Sequence, residues 1–124
     1  MFVTFDPTSE FGFELHEGTP TLKEMQDAVG GLIEPVDVFE DEDGRVSMYV
    51  NEEGLYLCEP TLILTTELYS DHVINGPVVF SRCRWSDGET VPLTREDVEK
   101  IRDAFKGARL TRVGFLTYLE FLNG

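Results

Sequence analysis

The chain has 124 residues, of which 41% are hydrophobic and 27% are charged, so it has the size and composition of one domain with a buried core. It carries 24 acidic and 10 basic residues, and a net charge of −14 repels the phosphates of nucleic acids and of anionic lipids. The sequence contains no apolar run near the roughly 20 residues that a membrane-spanning helix needs, and no basic and apolar segment typical of a signal peptide at its start. We therefore expect a cytoplasmic domain that binds neither nucleic acid directly nor a membrane.

The acidic residues are unevenly distributed. Residues 1–80 hold 17 acidic and two basic side chains, whereas residues 81–124 hold seven acidic and eight basic ones. A strongly anionic surface is therefore expected from the first two thirds of the chain, and the C-terminal third is nearly neutral.

The first 30 residues predict a hairpin followed by a short helix. Large apolar side chains alternate with smaller or polar ones in residues 1–5 and 11–15, which is typical of two short strands around a turn. Thr21 and Glu24 have the spacing of a capping box, so we expect the helix to begin after Thr21. Gly30 is expected to end it, because glycine adopts the left-handed conformation that follows a helix at little cost.

A second hairpin is predicted from residues 32–39 and 45–50, with the acidic turn 40–44 between its strands. Pro35 cannot donate a hydrogen bond to a neighbouring strand, which indicates that the first strand lies at a sheet edge or contains a bulge. After another turn, residues 55–58 predict a further short strand.

The next segment, residues 60–69, leaves two alternatives open. Its threonines favour a strand, whereas its proline at a first-turn position and the spacing of its leucines permit a helix. Residues 73–74 and 78–85 then predict a late β segment, again separated by turn residues.

Thr94 is expected to begin a second helix that Gly107 ends, with basic residues in its later part. The apolar spacing over residues 110–122 favours a third helix, with a strand as the second choice. Together, these elements predict one α+β domain over residues 1–124. It would contain a mainly antiparallel, bent sheet, one inserted helix and one or two C-terminal helices.

Metal and nucleophile chemistry find little support in the sequence. The residues that could bind zinc never pair at the two-to-four-residue spacing of structural sites: His16, Cys58, His72 and Cys83. Without a secretion signal, the two cysteines are expected to be reduced thiols. We therefore predict no metal, no cofactor and no catalytic residues, and hence a protein that is not an enzyme.

The acidic surface is the remaining candidate for function. We predict that a partner binds seven carboxylates: Asp37, Glu40, Asp41, Glu42, Asp43, Glu52 and Glu53. If the second hairpin forms, the two acidic turns lie at opposite ends of one strand, roughly 20 Å apart, and could imitate the phosphate spacing of a nucleic acid. The alternative is an acidic surface that only keeps the chain soluble.

Three strings carry a resemblance to a known family: LKEMQDAVGGLIEPV at 22–36, YVNEEG at 49–54 and VINGPVV at 73–79. They are similar to a small family of uncharacterised domains, carried mostly by phages and plasmids, with a helix, a Val-Gly-Gly step and a strand. The resemblance covers about residues 20–85 and leaves a C-terminal helical extension, about 92–124, outside it. It implies a mobile-element origin and expression in a host bacterial cytoplasm.

These observations give two functional hypotheses. In the first, a phage-type accessory protein binds and modulates a basic host protein, as a nucleic-acid mimic or as an anti-defence or host-takeover factor. Its less acidic C-terminal segment would contact a second surface or form a homodimer. In the second, the domain sequesters a small ligand such as a nucleotide between sheet and helices, with Arg82 and Arg84 among the cations.

Overall fold

The structure of the protein is a computed structural model in which residues 1–7 and 12–122 are described. Within these residues the chain forms ten strands and three helices. The strands are β1 (Phe2–Phe5), β2 (Phe13–His16), β3 (Ile33–Glu40), β4 (Gly44–Asn51), β5 (Pro60–Thr66), β6 (His72–Asn75), β7 (Val78–Arg84), β8 (Thr90–Val91), β9 (Phe105–Thr111) and β10 (Gly114–Phe121). The helices are α1 (Leu22–Val29), α2 (Gly54–Leu57) and α3 (Arg95–Ala104). Part of the first predicted turn, and Phe11 at the start of the second predicted strand, lie outside the described residues.

The strands form two sheets, where we had expected one bent sheet. The first sheet has the order β2-β1-β7-β4-β3, with β8 paired to β7, and all of its pairs are antiparallel. The second sheet has the order β6-β5-β10-β9, and its central pair, β5 and β10, is parallel. A parallel pair needs a long crossover connection, and the segment containing β7 and α3 supplies it.

The main core lies between the two sheets. Side chains alternate across a strand, so Val78 and Phe80 of β7 enter this core while Val79 faces the other way. Leu119 of β10 and Ile101 of α3 belong to the same buried cluster. The first sheet, the second sheet and α3 therefore stabilise one another through shared apolar burial.

Helix α1 covers the opposite face of the first sheet. Its Met25 and Val29 form a second buried cluster with Val79. The predicted capping box is confirmed, because Thr21 Oγ1 accepts from the amide of Glu24 and Glu24 Oε1 accepts from the amide of Thr21, each at 3.1 Å. These bonds satisfy two amides that a helix N-terminus otherwise leaves unpaired.

In the middle of the chain, the structure contradicts one predicted element and decides between the two alternatives for another. The strand predicted at 55–58 is wrong, because this segment forms the short helix α2. The open alternative at 60–69 is settled as a strand, β5. The edge position predicted from Pro35 is confirmed, since β3 is the last strand of the first sheet and has a bulge between Asp37 and Phe39.

The third helix predicted at 110–122 is wrong. That segment contains the end of β9, a turn and β10, and β10 pairs with β5 on one side and β9 on the other. Gly107 and Gly114 have φ angles of 95° and 116°, which a helix does not contain, and α3 ends earlier, at Ala104. The C-terminal segment is therefore one helix followed by a β-hairpin.

Candidate functional site

The acidic turn between β3 and β4 is held by a buried arginine. Arg82 of β7 is 6% exposed. Its Nε and Nη2 donate to Asp97 at 2.7 Å each, and its Nη1 and Nη2 donate to Asp41 at 3.0 and 2.6 Å. Since Asp97 lies in the first turn of α3, Arg82 connects the hairpin turn to that helix.

These contacts favour the ionised form of both carboxyl groups. Hydrogen bonds from Arg82 place the pKa of Asp41 well below its usual range, and two backbone amides of its own turn lower it further. Burial alone raises the pKa of Asp97, but the hydrogen bonds from Arg82 and Thr94 outweigh it, so that this pKa also lies below its usual value. The carboxylate of Asp41 therefore serves the fold and is not free for a partner.

Asp37, another predicted partner-binding residue, is also bound within the fold. Its Oδ2 accepts from Arg45 Nη1 at 3.3 Å, and its Oδ1 accepts from Ser47 Oγ at 2.8 Å. The other acidic side chains of this segment are exposed and form no ion pair with a described residue: Glu40, Glu42 and Asp43. Three of the five predicted carboxylates in this segment thus remain available.

The second acidic turn lies at the opposite end of β4, as the hairpin prediction required. Glu52 and Glu53 are exposed and lead directly into α2. The next large side chains are apolar and face solvent: Leu55 is 74% exposed, Tyr56 85% and Leu57 67%. We call these three side chains the α2 apolar patch.

The backbone before α2 is fixed by the buried side chain of Asn51. Its Nδ2 donates to the carbonyl of Val29 at the end of α1 at 3.1 Å, and its Oδ1 accepts from the amide of Glu53 at 2.8 Å. A Cβ at Gly31 would lie 3.0 Å from Asn51 Nδ2, so glycine lets the two segments approach. The turn into α2 is therefore attached to the end of α1.

The other end of α2 rests against the turn between β6 and β7. Asn75 Nδ2 donates to the carbonyl of Cys58 at 3.1 Å. A Cβ at Gly54 would lie 2.8 Å from the Asn75 carbonyl oxygen, and one at Gly76 would lie 2.9 Å from Cys58 Sγ. The short helix is thus held from both sides while its apolar side chains remain uncovered.

The three strings that carry the family resemblance meet at this junction. The string 22–36 supplies the end of α1, the string 49–54 supplies the turn into α2, and the string 73–79 supplies the turn between β6 and β7. Residues from all three strings therefore contribute to fixing the backbone beneath the α2 apolar patch.

A groove of about 740 Å³ lies between β3, α3 and the ends of β5 and β10. Phe39 and Phe121 line it, with their ring centroids 5.7 Å apart. Its charged lining residues are of both signs: Asp37, Glu40, Glu67, Lys100, Asp103, Lys106 and Glu120. Arg82 and Arg84, the cations expected to hold a nucleotide, form ion pairs with carboxylates of the chain. The groove therefore does not concentrate positive charge.

The part of the chain that the structure describes contains no candidate metal site and no candidate membrane-spanning helix. Within residues 1–7 and 12–122, no three His, Cys, Asp or Glu side chains are grouped so that they could hold a metal ion. The same residues contain no helix of the length and apolar character that crossing a bilayer requires. Cys58 and Cys83 are free thiols.

These features define a small acidic domain in which two sheets and α3 enclose the main core, and α1 covers the outer face of the first sheet. The chain belongs to the family described as a domain of unknown function (DUF3846), whose model matches residues 2–106. The match includes the first sheet and α3, extends beyond the stretch of about residues 20–85 that carried the resemblance, and ends at the start of β9. No curated protein and no solved structure matches the chain.

Sequence analysis missed two of these features. The α2 apolar patch was hidden, because a short apolar run with unknown partners resembles a buried strand. Arg82 could have been found, since it has the same alternation phase as Val78 and Phe80 and so faces the core. A buried arginine requires carboxylate partners, and Asp97 in the first turn of a predicted helix was a candidate.

Proposed function

We propose that the protein is a small acidic accessory protein of a phage or plasmid that binds and modulates a basic protein in the cytoplasm of its bacterial host, without catalytic activity of its own. One observation supports this most: three consecutive large apolar side chains are exposed on the short helix α2, whose backbone is fixed at both ends. Exposed apolar groups rimmed by polar ones are typical of interaction sites, and tyrosine often dominates binding energy. A fixed backbone also lowers the entropy lost on binding.

The charge around the patch favours a particular partner chemistry. Glu52, Glu53 and Glu59 are exposed beside the α2 apolar patch, and the whole chain carries −14. A matching partner presents an apolar pocket surrounded by lysine or arginine side chains. Such complexes associate quickly, and salt weakens them by screening the charges.

The turn between β3 and β4 extends the acidic surface. It lies roughly 25 Å from the second acidic turn, at about 3.3 Å for each of the eight residues of β4. Its free carboxylates belong to Glu40, Glu42 and Asp43. Anionic groups spread over this length favour mimicry of a nucleic acid backbone toward a protein that binds one, such as a nuclease or a repressor.

Affinity capture from a bacterial lysate tests the proposal. The baits are the wild type, Tyr56→Ala, the double variant Glu52→Lys/Glu53→Lys, and Leu22→Ala as a control with a 58% exposed leucine on α1. At about 50 mM salt, the wild type and the control should retain the same basic proteins, and both patch variants should lose them. At about 500 mM salt, all baits should lose them. Equal capture by all four baits, or capture of acidic proteins alone, would overturn the proposal.

A further bait separates the two acidic turns. The triple variant Glu40→Lys/Glu42→Lys/Asp43→Lys leaves Asp41 unchanged, because the fold needs its contact with Arg82. Loss of capture by this triple but not by Tyr56→Ala would assign the partner to the turn between β3 and β4 and remove the role given to α2.

The second hypothesis, sequestration of a small ligand such as a nucleotide, has the groove beside Phe39 and Phe121 as its candidate pocket. A thermal-shift screen against nucleotides tests it. Stabilisation by a nucleotide, without capture of basic proteins, would favour this function over the first.

A further inference from the structure

The edges of the two sheets differ in their protection against pairing with another chain. In the described part of the fold, β2, β6 and β8 have two to four residues each, and β3 carries Pro35 and a bulge, all of which discourage pairing. β9, at the edge of the second sheet, contains no proline and no acidic residue; it has a bulge at Gly107, and its residues 108–111 pair regularly with β10. Its side chains from Lys106 to Leu110 are exposed.

The free end of the β9–β10 hairpin also carries exposed apolar side chains. Leu110 and Phe115 are directly opposite in the strand register and so share a face; they are 68% and 73% exposed. Val113, in the turn between the strands, is 65% exposed. The irregularity in this hairpin is confined to its other end, between Thr117 and Leu119. The edge near Leu110 therefore keeps regular strand geometry.

The charge of this hairpin is suited to a second copy of the chain. β9, β10 and their turn carry three basic residues and one acidic residue, while the chain as a whole carries −14. Two copies therefore repel each other least where their hairpins meet. Arg109 is drawn away from the edge, because its Nη1 donates to Asp71 at 2.8 Å and its guanidinium lies 4.0 Å from the ring centroid of Tyr118.

We infer that the protein forms a homodimer in which the ends of two β9 strands pair antiparallel over residues 109–111, with Leu110 at the two-fold axis. In this register both Leu110 side chains lie side by side, and the two Phe115 side chains flank them on the same face. The contact is isologous, so it closes after two chains, and the second sheets of both copies become continuous.

Light scattering at rising protein concentration tests this assembly. The wild type should approach twice the monomer mass of 14.1 kDa, and added salt should strengthen the dimer because it screens the repulsion between two acidic chains. Salt weakens the proposed complex with a basic protein, so the two associations can fail independently. Leu110→Lys should remain monomeric, whereas Leu22→Lys should still dimerise. A wild type that stays at 14.1 kDa at high salt, or a Leu110→Lys variant that dimerises equally well, would overturn the inference.

Cross-linking tests the register. Antiparallel neighbours have Cα atoms about 4.5–5.5 Å apart, which a disulfide spans. In a Cys58→Ser/Cys83→Ser background, Leu110→Cys should form an intermolecular disulfide under mild oxidation, and Leu22→Cys should not. A dimer by light scattering that fails to cross-link at Leu110 would contradict the proposed two-fold axis.

Discussion

At the residue scale, the buried side chain of Arg82 connects two segments of the chain and is expected to have a large effect on stability. Arg82→Ala leaves the carboxylate of Asp97, 2% exposed, without its arginine partner, and breaking such a buried pair costs about 3–5 kcal/mol. We expect urea denaturation to show a loss of this size. Arg84→Ala, which breaks the exposed pair with Asp87, should cost less than about 1 kcal/mol. Similar small losses in both variants would contradict the role of Arg82.

The same contacts predict sensitivity to acid. The pKa values of Asp41 and Asp97 are lowered in the folded state. Their stabilisation is therefore complete above the unfolded value, about 3.9, and is lost as the pH falls through the lower folded values. We expect the free energy of unfolding to decrease steeply below about pH 4. Asp41→Asn should be less stable at neutral pH and should lose stability less steeply in acid; parallel curves would exclude a contribution from Asp41.

At the scale of elements, helix α2 is positioned by contacts to its backbone, and its exposed apolar side chains take no part in them. Gly54→Ala places a Cβ 2.8 Å from the Asn75 carbonyl oxygen, and forced overpacking of this kind costs about 1–3 kcal/mol. We expect this variant to lose both thermal stability and capture of the basic partner, although the α2 apolar patch is unchanged. Tyr56→Ala should lose capture alone. If Gly54→Ala binds the partner as well as the wild type does, the close packing of α2 against Asn75 is not needed for binding.

Elements with local signals were predictable from the sequence. Helix α1 has its capping box and terminal glycine within a few residues, and the hairpin of β3 and β4 has its alternation and its turn together. The strand β10 could not be predicted in the same way. Its leucines suit either a helix or a strand, and its parallel partner β5 lies some fifty residues earlier in the chain.

The candidate site was only partly predictable from the sequence, because some of its features depend on contacts between distant segments of the chain. Composition identified both acidic turns. The structure places Glu52 and Glu53, both exposed, beside the α2 apolar patch. Composition could not show that Asp41 is bound by Arg82, because the two residues are 41 positions apart and meet only when β7 lies beside β4. Nor could it show that α2 remains uncovered, since exposure depends on what the rest of the chain places over it.

At the scale of the whole molecule, the charge of −14 opposes folding, because it brings like charges closer together in the compact state. Salt screens this repulsion: the Debye length falls from about 30 Å at 0.01 M to about 8 Å at 0.15 M. The buried contact between Arg82 and Asp97 is screened much less. We therefore expect the free energy of unfolding to rise with sodium chloride over this range.

The triple variant Glu40→Lys/Glu42→Lys/Asp43→Lys provides the matched test of this electrostatic effect. Three reversals change the net charge by +6, from −14 to −8, at exposed positions without ion pairs in the described structure. The variant should be more stable than the wild type at low salt and should gain less from added salt, because less repulsion remains to be screened. Denaturation curves at both ionic strengths measure this difference. If salt leaves wild-type stability unchanged or lowers it, then local ion pairs dominate over the net charge.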